Sequence, residues 1–310
     1  MMLGLKILML AAPLVLLASV IEAIVLSRRV GAEPYDWPAM GVSVVDMVAR
    51  NLLRLVPVPF MGAAFEWLWA HRLFTLPLEG LGSFAILFLA QELFYYGYHR
   101  AAHRVRWFWA THAVHHSPNQ LNLAAAYRLG LTGKFTGTLL FFMPLVWLGF
   151  SPEVVVATLS LNLLYQFWLH ATWIPRLGWL EWVLNTPSSH RVHHASNLCY
   201  LDANYGGVLI VFDRLFGTYV AERDDEPCVY GWVKPIRSRN PLKVEFTTWV
   251  ALARDLARAR SVREVLGLLL GPPGWRADGA GETTESLRAA ARAEAAMRAA
   301  PISDTAATGT

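Results

Sequence analysis

Eight of the chain's ten histidines occupy three spaced boxes, His99-Arg-Ala-Ala-His103, His112-Ala-Val-His115-His116 and His190-Arg-Val-His193-His194. The second and third share one H-x-x-H-H spacing. On a helix, residues three or four apart lie on one face, so each box can aim two or three imidazoles at one place. Neutral imidazole suits Fe, Zn, Cu and Ni, and eight rings are twice what a structural zinc site uses. The surplus points to two metal ions. Helical angles spread His112, His115 and His116 over about 100°, so one ring can serve one ion while its neighbours serve the other. Spacing alone leaves the sharing open, four nitrogens each or an unequal three to five. Interfacial histidines satisfied by lipid phosphate or backbone carbonyls would explain one box, but eight basic rings crowded together repel when protonated, and a metal relieves that repulsion.

Other polar residues fall in step with the boxes. Glu92, Tyr96, His99 and His103 follow a 4, 3, 4 spacing on one helical face. A carboxylate inside an apolar run turns inward to a partner or a cavity, so Glu92 either orients a ligand histidine, positions substrate, or makes an interhelical hydrogen bond without chemistry. Asn162, Gln166 and His170 recur every four residues and draw a polar stripe along an apolar helix, with His170 as a ninth ligand or an outer donor. Downstream of the third box come Asn197, Asp202, Asn204, Tyr205 and Asp213. Asp202 and Asp213 are candidates to orient metal-bound rings, with turn capping as the alternative; Asn204 and Tyr205 join Glu92 as candidate catalytic residues. His71 has no spacing partner and reads as surface.

These boxes need elements to hold them. Across 310 residues the hydrophobic content is 55% and the net charge only +4, with a mean hydropathy of +0.35, which points to a membrane protein and away from nucleic acid. Two cysteines, Cys199 and Cys228, are too few for a disulfide framework. Apolar runs near the ~20 residues of a crossing cover Leu3 to Leu26, Leu52 to Ala70, Leu81 to Tyr98, Phe135 to Phe150 and Val154 to Ile174. The second carries Arg54, Pro57, Pro59 and Glu66 and reads as a broken or half-inserted helix. The first reads as a retained anchor, not a cleaved signal. Arg28, Arg29, Arg50 and Arg54, together with Arg100, Arg104 and Arg106, assign the cytoplasmic side, the side on which all three boxes then fall.

The fold class expected is an all-α, integral-membrane helical bundle of four to five spans with a cytoplasmic helical cap holding a di-metal histidine site. Its parts are an N-terminal membrane anchor region (1–80), a histidine-box domain (81–235), an amphipathic segment suited to an anionic leaflet (236–270) and a disordered tail (271–310) with a frayed helix near Glu285 to Ala300.

The pattern resembles the fatty acid hydroxylase/sterol desaturase superfamily of integral-membrane histidine-box oxygenases. The resemblance rests on Tyr98-His99-Arg100 through His103, on Trp109 to His116 followed by Ser117, and on Ser189-His190-Arg191-Val192-His193-His194. Asp202-x-Asn204-Tyr205-Gly206 and Phe212 to Thr218 complete it, so that it covers roughly residues 82 to 235. Tyr230 to Pro235 resembles alkylglycerol monooxygenase-type members and C-5 sterol desaturase-like bacterial ones. The resemblance implies two Fe ions held by the eight box histidines, with His170 matching a further histidine of many members. It also implies O2 as co-substrate and hydroxylation or desaturation of a sterol, fatty acyl or alkyl lipid drawn from the bilayer. Electrons would come from cytochrome b5, a ferredoxin or a reductase; no haem-binding domain is visible at either end, so that donor is expected to be a separate protein. The expected location is a bacterial inner membrane with the active site facing the cytoplasm.

The rival class is a histidine-rich membrane metal transporter or metal-binding protein. Transporters place ligands near the bilayer midplane on broken helices, whereas these boxes cluster at helix ends. A zinc hydrolase would need an H-E-x-x-H, which is absent.

Overall fold

The computed structural model describes residues 2–29, 33–56 and 58–299. Among them the chain is helical, with isolated bridges in place of strands. In chain order the helices are α1 (Met2–Ser27), α2 (Trp37–Arg54), α3 (Pro59–Ala70), α4 (Gly80–Arg104), α5 (Arg106–His112), α6 (Met143–Leu148), α7 (Pro152–Leu169), α8 (Pro187–His194), α9 (Val211–Leu215), α10 (Pro241–Leu256), α11 (Val262–Leu270) and α12 (Thr284–Ala299).

Not all of the four to five expected spans appear as uninterrupted apolar helices. Among the described residues only α1, over Leu3–Ser27, is long and apolar enough by itself to cross a membrane. The run Leu52 to Ala70 is broken, as its prolines imply, because a proline cannot donate to the preceding turn and forces the residue before it extended: α2 stops at Arg54 and α3 begins on Pro59. The run Phe135 to Phe150 is a chain of 3₁₀ turns leading into α6, and the segments Leu123–Lys134 and Thr138–Leu148 bend by 96°. Gly137 takes the bend at φ 89°, in the left-handed region open to glycine. The third and fifth runs become α4 and α7, whose interiors carry Gln91, Glu92, Asn162 and Gln166.

Those two helices frame the molecule. The interior where α3, α4, α6 and α7 meet is filled by Met61, Phe65, Leu87, Tyr95, Phe142, Leu145 and Val155. Helix α1 runs beside α7 in the same direction, and Gly4 permits the contact: a Cβ there would lie 2.7 Å from Ser160 Oγ and 2.8 Å from Val156 O. At the other end of α1, buried Glu22 accepts from Leu123 N at 2.7 Å and from Trp173 Nε1 at 2.9 Å.

The C-terminal third departs from expectation. The amphipathic stretch forms two helices, the second capped by Ser261, which accepts from Glu264 N, while Glu264 accepts from Arg260 N. The helix expected near Glu285 to Ala300 is present as α12, and residues 271–299, otherwise expected to be disordered, fold back onto the body. Trp275 packs on Gly267 and Gly271, and α12 is docked by Arg288, which donates to Leu198 O at 2.8 Å and Leu201 O at 2.6 Å. A low-complexity tail looks unable to bury anything when its partners lie some ninety residues away. Residues 300–310 of the expected tail lie outside the described residues.

Helix α10 packs on α5 through Thr248, which donates to Ala110 O at 2.7 Å, Trp249, edge-on to Trp107, and Asp255, paired with Arg106. Glu245 accepts from Leu131 N at 2.6 Å, and burial, with Asp46 nearby, pushes its carboxyl up to about 7. A carboxyl raised above its unfolded value holds a proton that the unfolded chain has lost, so its ionisation weakens the fold as pH rises from about 4.5 to about 7. Glu245→Gln keeps the acceptor and removes that dependence. The variant is expected to gain on the order of 2 kcal/mol over wild type above pH 7 and nothing near pH 4, as read from melting curves of the two proteins across that range.

Candidate metal centre

Five helices and loops deliver nine imidazoles to one buried place. One nitrogen from each of His99, His103, His112, His116 and His193 lies within 4.8 Å of the others, and the same holds for His115, His170, His190 and His194. No ring is more than 8% exposed. The clusters adjoin: His116 and His194 stack with centroids 4.3 Å apart, and those of His193 and His194 are 5.3 Å apart.

Helical geometry explains the sorting. In each H-x-x-H-H box the first and last histidines, four apart, share a face and a cluster, and the middle one turns to the other cluster. His112 and His116 therefore join the group of five while His115 leaves it; His190 and His194 join the group of four while His193 leaves it. Both histidines of α4 belong to the group of five. His170, capping α7 at the end of its polar stripe, completes the group of four. His71 lies apart, exposed and stacked on Trp67.

Backbone carbonyls fix the rings. Nδ1 donates to Tyr205 O from His99 at 2.8 Å, to Arg128 O from His115 at 3.0 Å, to Gln166 O from His170 at 2.9 Å and to Ala203 O from His193 at 2.9 Å. With the proton held on Nδ1, Nε2 presents a lone pair inward. Other ring nitrogens crowd against them: Nε2 of His112 is 3.0 Å from that of His99 and 3.2 Å from that of His116, and Nε2 of His190 is 3.2 Å from that of His170. Nε2 of His103, His193 and His194 has no hydrogen-bond partner at all. Buried acceptors facing one another repel, and cations between them turn the repulsion into bonding, so the donor set fits metal ions. Burial, reinforced by neighbouring rings, holds His112, His116, His190, His193 and His194 well below the usual histidine range and His115 at about 4, leaving neutral ligands at pH 7.

One loop does much of the aiming. Asp202 and Asn204 both adopt left-handed backbone, at φ 54° and 58°, a conformation that Asp and Asn tolerate better than other side chains. The two turns present Ala203 O and Tyr205 O to His193 and His99. Asn204 holds the loop by donating to Ser189 O and Val220 O and accepting from Val220 N. Asp213 accepts from the N–H groups of Tyr205 and Gly206 and from Thr218 Oγ1, each at 2.7 Å. Glu92 bonds no histidine; its carboxylate accepts from Val208 N and Leu209 N at 2.8 Å and from Asn162 Nδ2, tying the far end of the same loop to α4 and α7. Tyr205 packs its ring on His99, His103 and His193. Asp202 Oδ1 lies 3.6 Å from His103 Nδ1; burial pushes its carboxyl up, but His103 and Arg104 outweigh that and hold it at about 2.

Two supporting residues were not singled out in the sequence. Arg128, 3% exposed, donates to Ser43 Oγ, Ser117 Oγ and Ala39 O, and so fixes the carbonyl that His115 uses. A lone arginine in the apolar stretch Leu123 to Leu129 was the available signal. Glu222 receives a two-pronged bond from Arg191 of the third box, at 2.7 Å on each oxygen; nothing in its local sequence marks it.

Residues 84–218, a span that contains all nine rings, match the Fatty acid hydroxylase family, and the chain belongs to the fatty acid hydroxylase superfamily. Among curated proteins it is similar to alkylglycerol monooxygenase of Xenopus tropicalis, 38% identical over 249 residues that make up 78% of this chain and 55% of the relative. The Homo sapiens alkylglycerol monooxygenase is 37% identical over 74% of this chain and 52% of the relative. An ornithine lipid hydroxylase of Rhizobium tropici is 31% identical over 39% of the chain and 37% of the relative. The chain spans about half the length of the alkylglycerol monooxygenases of these two vertebrates. No solved structure matches it.

Proposed function

We propose that the chain is a membrane-bound lipid hydroxylase that holds two iron ions in its paired histidine clusters and uses O2 to oxidise a lipid C–H bond, with an alkylglycerol-type lipid as substrate. The observation that carries it is the sorting of nine buried imidazoles into adjoining groups of five and four. Oxidising an unactivated C–H bond needs redox-active metal and O2, which supply chemistry no side chain has. The named relatives hydroxylate lipids, which favours hydroxylation over desaturation.

The chain's own residues position and seclude. His99, His103, His112, His116 and His193 would hold one ion, and His115, His170, His190 and His194 the other. The carbonyls on Nδ1 of His99, His115, His170 and His193 fix the tautomers of those rings and raise their basicity toward metal. Glu92 and Asn204 serve by holding the loop that aims His99 and His193, and Tyr205 closes the five-histidine side against water. A separate protein delivers electrons, and the histidine side faces the cytoplasm.

Anaerobically purified chain, loaded with iron and supplied with a chemical reductant and ¹⁸O2, is expected to carry about two irons and to place ¹⁸O in an alkylglycerol. Iron-loaded protein that leaves alkylglycerol, fatty acyl lipid and sterol all unlabelled defeats the reading.

A further inference from the structure

We propose that α10 and α11 together lie in the headgroup layer of an anionic leaflet, a second membrane contact besides α1; this rests on the membrane-bound reading and not on the metal chemistry. At ~100° per residue, α10 divides into three strips. Val244, Thr248 and Leu252 turn to the body, where Val244 and Leu252 are buried and Thr248 bonds Ala110 O. Leu242, Phe246 and Val250, four apart and exposed, form an outer apolar arc with Ala253, and Trp249 marks one rim of it. Lys243 and Arg254, also exposed, stand along the other rim. Helix α11 repeats the plan: Leu268 is buried, Val262, Leu266 and Leu270 are exposed at four-residue intervals, and exposed Arg263 borders them. An oily arc edged by cations suits a helix lying in the bilayer interface, its arginine stems along the apolar surface and their heads on phosphate.

Charge selects the partner. Lys243, Arg254, Arg258, Arg260 and Arg263 are all exposed, and among the described residues none of their side chains has an ion pair. The carboxylates of the same stretch are already engaged: Glu245 accepts from Leu131 N, Asp255 pairs with Arg106 and Glu264 accepts from Arg260 N. Free cations beside an apolar arc match a layer of lipid phosphates above acyl chains.

Position agrees with charge. Arg106, which follows α4, donates to Gly271 O at 2.9 Å and pairs with Asp255. Both helices are thereby fixed at the histidine end of α4, beyond its exposed Leu81, Ile86 and Leu89. On the rim away from the cations, exposed Phe135 shares with Trp107, Phe246 and Val250 an open groove of about 480 Å³. Its neighbour Lys134 donates to Leu53 O at 2.9 Å, so the apolar surface continues to exposed Leu52 and Leu55 at the end of α2. One rim thus meets acyl chains and the other meets headgroups, as depth in a leaflet requires.

The test uses the full chain in nanodiscs of mixed phosphatidylglycerol and phosphatidylcholine. Nitroxide labels at Val250→Cys and Leu266→Cys, each in a Cys199→Ser, Cys228→Ser background, are expected to meet a water-soluble nickel chelate at least about fivefold less, and dissolved oxygen more, than a label at Ala290→Cys on exposed α12. Nickel access equal to that at Ala290 overturns the proposal. So do labels shielded from both reagents, the mark of a second copy or a protein partner. The wild-type chain, unlabelled, is then titrated with spin-labelled lipids. Phosphatidylglycerol is expected to associate with it about threefold over phosphatidylcholine, and the variant R254Q/R258Q/R260Q/R263Q, changed only at exposed side chains, to lose that preference. Equal association in wild type, or a preference that the fourfold variant keeps, also overturns it. Neither readout involves metal or turnover, so a chain that oxidises nothing can still uphold this surface, and an active one can still refute it.

Discussion

His115→Ala is expected to halve the iron bound, from about two ions per chain to about one, and to lower lipid oxidation more than ~100-fold. Loss of an outer partner of a metal-bound histidine alone costs 10–100-fold in affinity or activity, and His115 is a direct member of the smaller cluster, where its loss leaves three rings. The five-histidine cluster offers a contrast. His103→Ala leaves four rings there, enough for a tetrahedral set, so it should retain more iron than His115→Ala. Metal analysis of the two variants beside wild type, with circular dichroism to show that both fold, checks the order. Two irons and full turnover in His115→Ala would remove the cluster from the chemistry.

Asp213→Ala should be the most damaging change that touches no imidazole. Asp213 is fully buried, and its carboxylate satisfies two backbone N–H groups and one hydroxyl. Alanine strands the N–H groups of Tyr205 and Gly206, at about 1–3 kcal/mol each. It also frees the loop whose carbonyl holds His99. A loss of about 3–5 kcal/mol is expected, with iron falling first from the five-histidine cluster. Asp213→Asn, which keeps one acceptor oxygen, should recover part of both. Melting temperature and iron content measured together separate a general loss of fold from a loss of aim; variants as stable and as iron-rich as wild type would show that the loop stands without Asp213.

Much of the centre was legible because helical spacing is a local property. The i, i+4 pairs His112/His116 and His190/His194 stay together and the intervening rings cross over, which the helical angles allow but do not assign. His170 stood at the end of a four-residue polar stripe and was in register with the boxes. Glu92, by contrast, fits a histidine-orienting role on spacing and in fact holds Val208 and Leu209, because a carboxylate takes whichever donors the fold brings to it, and those came from 116 and 117 residues away. Hydropathy does not show where an apolar run bends, for a related reason. The run Phe135 to Phe150 folds into 3₁₀ turns that lead into α6, with Phe135, Leu140 and Trp147 exposed.

Residue order alone determined the chemistry: nine imidazoles at helical intervals within an apolar chain can serve little other than metal. Tertiary structure decided the division into five and four, the carbonyls that fix His99, His115, His170 and His193, and the docking of a tail that looked unfoldable. Spacing sets which side chains share a face, a matter of a few residues; which faces meet depends on contacts between segments a hundred residues apart, and those exist only once the helices have packed.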